Sequence, residues 1–504
     1  MSPSTRIIVN TIAQFFKSIL SVVFAFVATR YVLESLGVED FGIYNLIAGI
    51  VSMLSFIMTA MSSSTQRFLS YSQGQGDIKA LKSVFNNSLV LHLLIGFCIY
   101  ICLEVSCSYV FDSLLNIDSN RLETAISIYH IILITLVITF ATSPFRAAII
   151  AHENIVFSSL IEILDSLLKL IIAFSLSFIT YDLLYFYVLM LLLIQFLNFI
   201  VFSSYALIKY EECNLNFLTD ISLRKLLALL SFTSWNIYNV GCVVGRMQGI
   251  SILLNRAMGT TINAAYGLGF QISGAVNYLS ASLANAINPQ LMKAEGSGDR
   301  KRMLRFAELE SKFAFLIFAT ISIPLMFEMQ EVLDLWLKDV PDYSALFCRM
   351  VLLSAMADTL TIGLGPAIQA VGKIGWYTFI VFTIKLLTLP AAFIFLKYDM
   401  DLLWVAYSYI GFELLSSIAR LPILRFYANL RIDHFLKNVF FKEIVPVLGI
   451  MFSSYFISFT MEHKYRFILT FCVSFLCSII LSYFLALSRD EKAFFKSLLK
   501  NKIK

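Results

Sequence analysis

Long apolar runs recur along this chain from end to end, divided by short polar segments, and each is long enough to cross about 30 Å of hydrocarbon as a helix. Hydropathy places about fourteen spans. Their limits are 7–33, 41–61, 84–109, 124–144, 156–179, 183–208, 228–256, 262–288, 306–330, 345–365, 375–396, 402–427, 444–461 and 467–487. The seventh and eighth are polar for membrane helices. "SFTSWNIYNVGCVVGRMQGISILLNRAMG" reads as turned toward water or headgroups rather than lipid. The first run follows Arg6 and contains Lys17, so it reads as a spanning helix and not as a cleavable signal peptide.

Composition agrees. Of 504 residues 59% are hydrophobic and 14% charged, against about a quarter charged in a soluble protein. The expected fold class is therefore an all-α polytopic membrane protein. The net charge of +5 reflects loop residues and implies no nucleic-acid partner. Cys98, Cys102, Cys242, Cys472 and Cys477 lie inside apolar runs, where a thiol acts as a small apolar side chain, and Cys213 falls in a loop. No disulfide framework is legible.

Basic residues gather in one set of loops: Arg67, Lys79 and Lys82; Lys209, Arg224 and Lys225; Lys293, Arg300, Lys301, Arg302 and Arg305; Arg431, Lys437 and Lys442. The alternate loops are acidic, with Glu34, Glu39 and Asp40, then Asp112, Asp118 and Glu123, then Glu331, Asp334, Asp339 and Asp342. By the positive-inside rule both termini are expected in the cytosol, with short outer loops. The tail "RDEKAFFKSLLKNKIK" reads as a basic amphipathic helix lying on anionic membrane lipids.

The chain also repeats itself. "LGVEDFGIYNLIAGI…QGQGDIKALK" aligns without a gap on "MGTTINAAYGLGFQI…EGSGDRKRML" at a constant offset of 222, the separation of Gly37 and Gly259. Tyr44 then matches Tyr266, Asp77 matches Asp299, Asp112 matches Asp334 and Pro144 matches Pro366. Six spans separate the copies, which gives them one orientation. Parallel repeats of this kind are a transporter architecture with the substrate site between the halves. The expected organisation is an N-terminal lobe over 1–210 (spans 1–6), a C-terminal lobe over 211–430 (spans 7–12), and spans 13–14 with the basic tail over 431–504. The G-x-G-D turns read as tight reversals with an Asp cap.

Charges inside spans carry the functional argument. "SLIEILDSLLKL" places Glu162, Asp165 and Lys169 on one helix face. Each would cost roughly 2.5–3.5 kcal/mol facing lipid at mid-bilayer. They are either a self-compensating ion cluster or one wall of a hydrated cavity. Two acids against one Lys call for another cation, and the first span offers one, with Gln14, Lys17 and Ser21 on a single stripe. At the repeat offset Gln14 corresponds to Asn236 and Lys17 to Asn239, so both halves carry a polar stripe at the same place. Arg246 lies on the face of Asn239. Asp358 and Lys385 are intramembrane, as are Glu413 and Arg420, whose spacing raises a direct structural link. Arg30 and Arg256 read as snorkelling to the interface, and His92 and His130 as hydrogen-bonded core groups.

No enzyme motif rises above chance. "AHEN" lacks the second His of a zinc-protease helix, and neither "GLGFQISG" nor "GPAIQAVGK" has the spacing of a nucleotide loop.

With "RYVLESLGVEDFGIYNLIAGIVSML", "SSSTQRFLSYSQGQGD" and the fourteen-span plan in view, the chain resembles the O-antigen (Wzx-like) polysaccharide flippases of the multidrug/oligosaccharidyl-lipid/polysaccharide exporter superfamily. The resemblance covers essentially the whole chain, and its motifs are structural. It implies two six-helix lobes in a V around a central cavity, two extra C-terminal helices, and alternating access without enzymatic chemistry. It also implies a cargo of oligosaccharide on polyprenyl diphosphate, no cofactor, and a polysaccharide polymerase and chain-length regulator as partners. The family holds no functional residues in one motif, so none are carried over by position. The residues fit that cargo independently: Lys17, Lys169, Arg246 and Lys385 suit a diphosphate, while Gln14, Asn236, Asn239, Gln271, Asn277 and Trp235 suit sugars. Outward movement of two negative charges is favoured by about 4–5 kcal/mol per 100 mV, inside negative. Coupling to membrane potential and antiport of protons or sodium are both open. The alternatives are a multidrug exporter of the same superfamily, whose cavity would be mainly acidic, and a polysaccharide polymerase, for which the outer loops are short.

Overall fold

In a computed structural model the glycine–aspartate turns end one helix and begin the next. Gly76 (φ 71°) and Gly298 (φ 80°) adopt the left-handed conformation that glycine enters without steric cost. Asp77 Oδ1 then accepts from the Ala80 N–H at 3.0 Å, and Asp299 Oδ1 from the Arg302 N–H at 3.0 Å. Upstream, Gly37 (φ 75°) and Gly259 (φ 89°) break the helical path at matching points. Tyr44 hydrogen-bonds Tyr187, and Tyr266 hydrogen-bonds Tyr409, with both members of the second pair at the repeat offset. The sequence repeat is thus a repeat of turns, caps and contacts. Asp112, proposed to match Asp334, lies outside the described residues, as do Asp339 and most of the basic tail.

The structure describes residues 3–52, 54–111, 117–180, 182–214, 221–337, 340–461, 466–488 and 491–492. Among them the regular elements are helices. The chain forms two compact units, one of residues Ile8–Ile237 and the other of the residues from Tyr238 on together with Met1–Ile7.

In the first unit the helices are α1 (Pro3–Ser52, kinked at Gly37), α2 (Ser55–Gln75), α3 (Ile78–Val105), α4 (Ser119–Ala151), α5 (Ile155–Ser175) and α6 (Leu183–Lys209). Helix α2 packs on α3 and α4, and α4 on α6, burying Ile128, Leu133, Phe140 and Leu184 completely. At one end Arg121 bridges Asp40 and Asp182, and Asp182 also caps α6 through the Leu184 and Tyr185 N–H groups.

After α7 (Leu223–Met258) the second unit holds α8 (Thr260–Gly296), α9 (Arg300–Phe327), α10 (Ser344–Thr359), α11 (Leu364–Val371), α12 (Ile374–Leu386), α13 (Thr388–Lys397) and α14 (Leu402–Ala428). Its packing copies the first: α8 lies on α9 and α10, and α10 on α14. Two last helices, α15 (Phe441–Thr460) and α16 (Arg466–Leu481), pack on each other and on α9 through small polar groups. Ser454 meets Ser474 at 2.9 Å and Thr320 meets Ser478 at 2.5 Å, the close contacts that membrane helices use.

Among the described residues ten helices are long and apolar enough to cross a membrane, or eleven if the α10–α11 pair, bent by 45°, counts as one span. Fourteen were expected. The other three expected spans are also helical, at 38–52 and 55–75 in α1 and α2, at α5, and at α8. The 41–61 span is divided between the end of α1 and the start of α2, α5 carries three charges, and α8 is rich in polar residues. Large apolar side chains such as Phe26, Ile208 and Phe426 cover the outer surface, at 83%, 87% and 79% exposure. Such a surface suits hydrocarbon and not water.

The α10–α11 bend follows from Gly363 and Pro366. The proline lacks an N–H and its ring disfavours a helical carbonyl four residues back. At Gly363 the backbone approaches α9 so closely that a Cβ would lie 2.2 Å from the Ala307 carbonyl oxygen, and its N–H donates to Ser311 Oγ at 3.1 Å. Gly363→Ala is expected to lower stability by about 1–3 kcal/mol, as overpacking against backbone does. Gly411→Ala, where nothing lies within 4 Å, should be neutral or slightly stabilising. Thermal unfolding of the purified variants in detergent checks both.

Candidate functional site

The polar stripe of α1 faces α5 within the first unit. Lys17 Nζ lies 2.8 Å from Glu162 Oε2, and Ser166 Oγ donates to Ser21 Oγ at 3.0 Å. The two pairs advance together along both helices, so α1 and α5 run parallel here. Two turns earlier Asn10 donates to the Glu153 carbonyl at 2.9 Å, and Gln14 is buried on the same stripe.

Glu162 is a bridge. Besides Lys17 it takes Arg146 of α4 and the Ser158 hydroxyl at 3.2 Å. Asp165 is held by Lys169 one turn on, at 2.8 Å, and by Asn198 of α6 at 2.7 Å. The unbalanced acids of α5 are therefore met by two cations from other helices. The result is three cations (Lys17, Arg146, Lys169) on two carboxylates, one formal positive charge in excess. Arg146 had not been singled out; its signal was an isolated cation in the apolar run "SPFRAAIIA".

Asn236 sits in the same unit, donating to Ser64 Oγ of α2 at 3.0 Å in a buried contact. Three residues on, Asn239 belongs to the second unit, where it lines a cavity of about 470 Å³.

That cavity is walled by α7, α8, α10, α12 and α14 and holds a second charge network. Arg246 of α7 donates to Glu413 of α14 at 2.5 Å and stacks 4.2 Å above the Tyr409 ring. Lys385 of α12 bridges Glu413 and Asp358, at 2.8 Å from the latter. Arg420 binds the Asp358 carboxylate, and its Nη1 reaches Thr361 Oγ1 at 3.4 Å. Arg246, Lys385, Glu413 and Arg420 are all buried. The direct Glu413–Arg420 link raised by their spacing does not form. Two helical turns separate them, and each instead takes a partner on another helix.

This network too has three cations on two carboxylates, again with one positive charge in excess. The count comes from pairs between helices far apart in sequence, which is why spacing alone did not show it. Ser273, Asn277, Gln369 and Tyr377 add neutral polar groups to the wall. Among the described residues no group of three or more His, Cys, Asp or Glu is placed to hold a metal. Of the other candidates, His92 is buried and bonds the Ser88 carbonyl at 2.8 Å, while His130 lies part-exposed beside Glu104.

Two units with one internal packing order, each with a polar charge cluster among apolar helices, define a multi-pass helical membrane fold. The MatE family model matches residues 14–175. A MATE crystal structure in the bent conformation superposes with a TM-score of 0.74 at 16% identity, covering 87% of this chain and 97% of that one. An outward-facing multidrug-resistance MATE transporter of the MOP superfamily gives a TM-score of 0.72 at 15% identity, over 87% and 97%. A MOP superfamily transporter from Pyrococcus furiosus gives 0.70 at 15% identity, over 85% and 96%. The chain is 22% identical over 338 residues to EpsK, an uncharacterized membrane protein of Bacillus subtilis (strain 168), covering 67% of this chain. The match covers 66% of EpsK, just under two thirds of its length. The fold is that of MATE-type transporters.

Removing one acid from the second network leaves buried cations without their counter-ion. Glu413→Gln is expected to cost about 3–5 kcal/mol of stability, the usual consequence of breaking a buried pair on one side. Lys169→Gln, at a part-exposed i,i+4 pair, should cost about 1 kcal/mol or less. Denaturant or thermal unfolding of the two variants separates a buried network from a surface pair.

Proposed function

We propose that this protein is a flippase that carries a polyprenyl-diphosphate-linked oligosaccharide from the cytoplasmic to the outer face of the inner membrane by alternating access. The observation that carries the reading is the excess positive charge in both clusters. A diphosphate needs cations along its path, and here Lys17 and Arg146 in one unit, and Arg246, Lys385 and Arg420 in the other, outnumber their acids. Neutral amides and hydroxyls beside the second cluster supply partners for sugar hydroxyls, and Tyr377 and Tyr409 supply rings for stacking. The prenyl tail needs no polar group and stays in lipid. Membrane potential favours outward movement of the anionic headgroup, and exchange against protons or sodium would serve equally.

A multidrug exporter is the second reading, favoured by the fold shared with multidrug-resistance MATE transporters. An organic cation, however, calls for acids in excess. The Pyrococcus furiosus structure was described as having a binding pocket of reverse polarity that suggests a different function. That precedent within the fold supports reading function from cluster polarity.

Lys169 is the residue to test first, because it is exposed and its loss should leave the fold intact. A Lys169→Cys protein without native cysteines is expected to react with a membrane-impermeant charged thiol reagent and to lose surface-polysaccharide export in a flippase-deficient cell. Absence of labelling with export intact would make the α5 charges a packed ion cluster. Drug resistance conferred without any polysaccharide export would favour the second reading.

A further inference from the structure

A second polar cavity of the second unit lies at the basic end of α9 and shares no residue with either charge cluster. Its volume is about 770 Å³, and its walls are the first half of α9, the segment after α14, and the start of α15. Six cations line it: Arg300, Lys301, Arg305, Lys312, Arg431 and Lys442.

The cations are ordered by helix geometry. Lys301, Arg305, Glu308 and Lys312 follow spacings of four, three and four, one stripe of α9. His434, Asn438 and Lys442 face them at steps of four. Lys312, a dozen residues from Arg300, stands about 18 Å along the helix from it at 1.5 Å per residue. The cation ladder therefore runs from the helix end well into the packed structure.

The acids lining the cavity are already engaged. Glu308 accepts from His434 Nδ1 at 3.0 Å, and Asn438 pairs with His434 Nε2 at 2.8 Å. Glu491 takes Lys312 on both oxygens, at 2.7 and 2.8 Å, and Glu295 takes Arg300. Among the described residues Lys301 and Lys442 have no acidic partner. The wall also contains a π-helical turn, Leu436–Phe440, which contributes Asn438 and Val439 to the lining. Such a turn gives up regular helix hydrogen bonding, and it occurs most often where a site needs the extra room.

The geometry points to a binding site for a phosphate-bearing group, presented by an anionic membrane lipid whose headgroup enters between α9 and α15. Unpaired lysines provide the charge. Leu304, Leu309, Leu430 and Val439 beside them provide an apolar wall for the first carbons of the acyl chains. A free phosphate would use the lysines and leave that wall idle. Basic crevices between membrane helices recognise anionic headgroups in this way. The site is separate from the clusters assigned to cargo and does not depend on the nature of that cargo.

The test uses the full-length protein, delipidated in detergent, and the double variant Lys301→Gln/Lys442→Gln, with Lys209→Gln as a control outside the cavity. Native mass spectrometry measures binding of phosphatidylglycerol and phosphatidylcholine, and thermal shift measures the response to inorganic phosphate. The wild type is expected to prefer phosphatidylglycerol. The double variant should bind it about 30-fold more weakly, from about a factor of five for each cation near a surface. The control should bind as wild type, and all three proteins should elute alike on gel filtration. A phosphate response lost in the double variant, without lipid selectivity, would keep the anion site and assign it to a soluble phosphate. Equal lipid and phosphate binding by wild type and double variant would overturn the proposal.

Discussion

A charge among apolar helices must find an opposite charge there, and most of the structure's internal order follows from that requirement. An isolated carboxylate or ammonium in hydrocarbon carries a penalty of several kcal/mol. Here Glu162 of α5 and Glu413 of α14 each draw in cations from other helices. Glu162 ties α1 and α4 to α5, and Glu413 ties α7 and α12 to α14. Such pairs add little net stability compared with good apolar packing, but they penalise any arrangement that separates them. They therefore act as registers, setting which helix faces which.

The two units reach similar electrostatic results with different residues. Backbone features repeat closely, down to Gly76 and Gly298, Asp77 and Asp299, and the two tyrosine pairs. The charged residues of the clusters do not repeat: Lys17 corresponds to Asn239, and Arg420 corresponds to Asn198. What both units keep is an excess of one cation in a polar cluster. Turns and caps are held by local geometry and tolerate few residue types. A charge cluster can be rebuilt from any helix that reaches it.

That excess separates this chain's chemistry from its fold. The MATE-type architecture resides in helix packing, whereas the chemistry resides in a few side chains. Neutral polar groups around Asp358 and Glu413 widen the range of partners beyond a simple ion. The last two helices, docked on α9 by serine and threonine contacts, leave the basic end of α9 open to a separate ligand.

The hydropathy pattern by itself determined a polytopic all-helical membrane protein, because a spanning helix needs about twenty apolar residues and leaves that signature in sequence. The constant offset determined the repeat, since the glycine and aspartate positions it aligns are set by local backbone geometry. It also exposed the polar stripe of α1 and the need for a counter-charge near Glu162. Only the tertiary structure decided the partners. Glu413 and Arg420 became members of a cluster through contacts across 167 and 62 residues, and Arg146 through a contact between two helices, none of which local periodicity encodes. The spacing of Glu413 and Arg420 even pointed to the wrong pair, because two turns along one helix are farther apart than the neighbouring helices that each residue reaches.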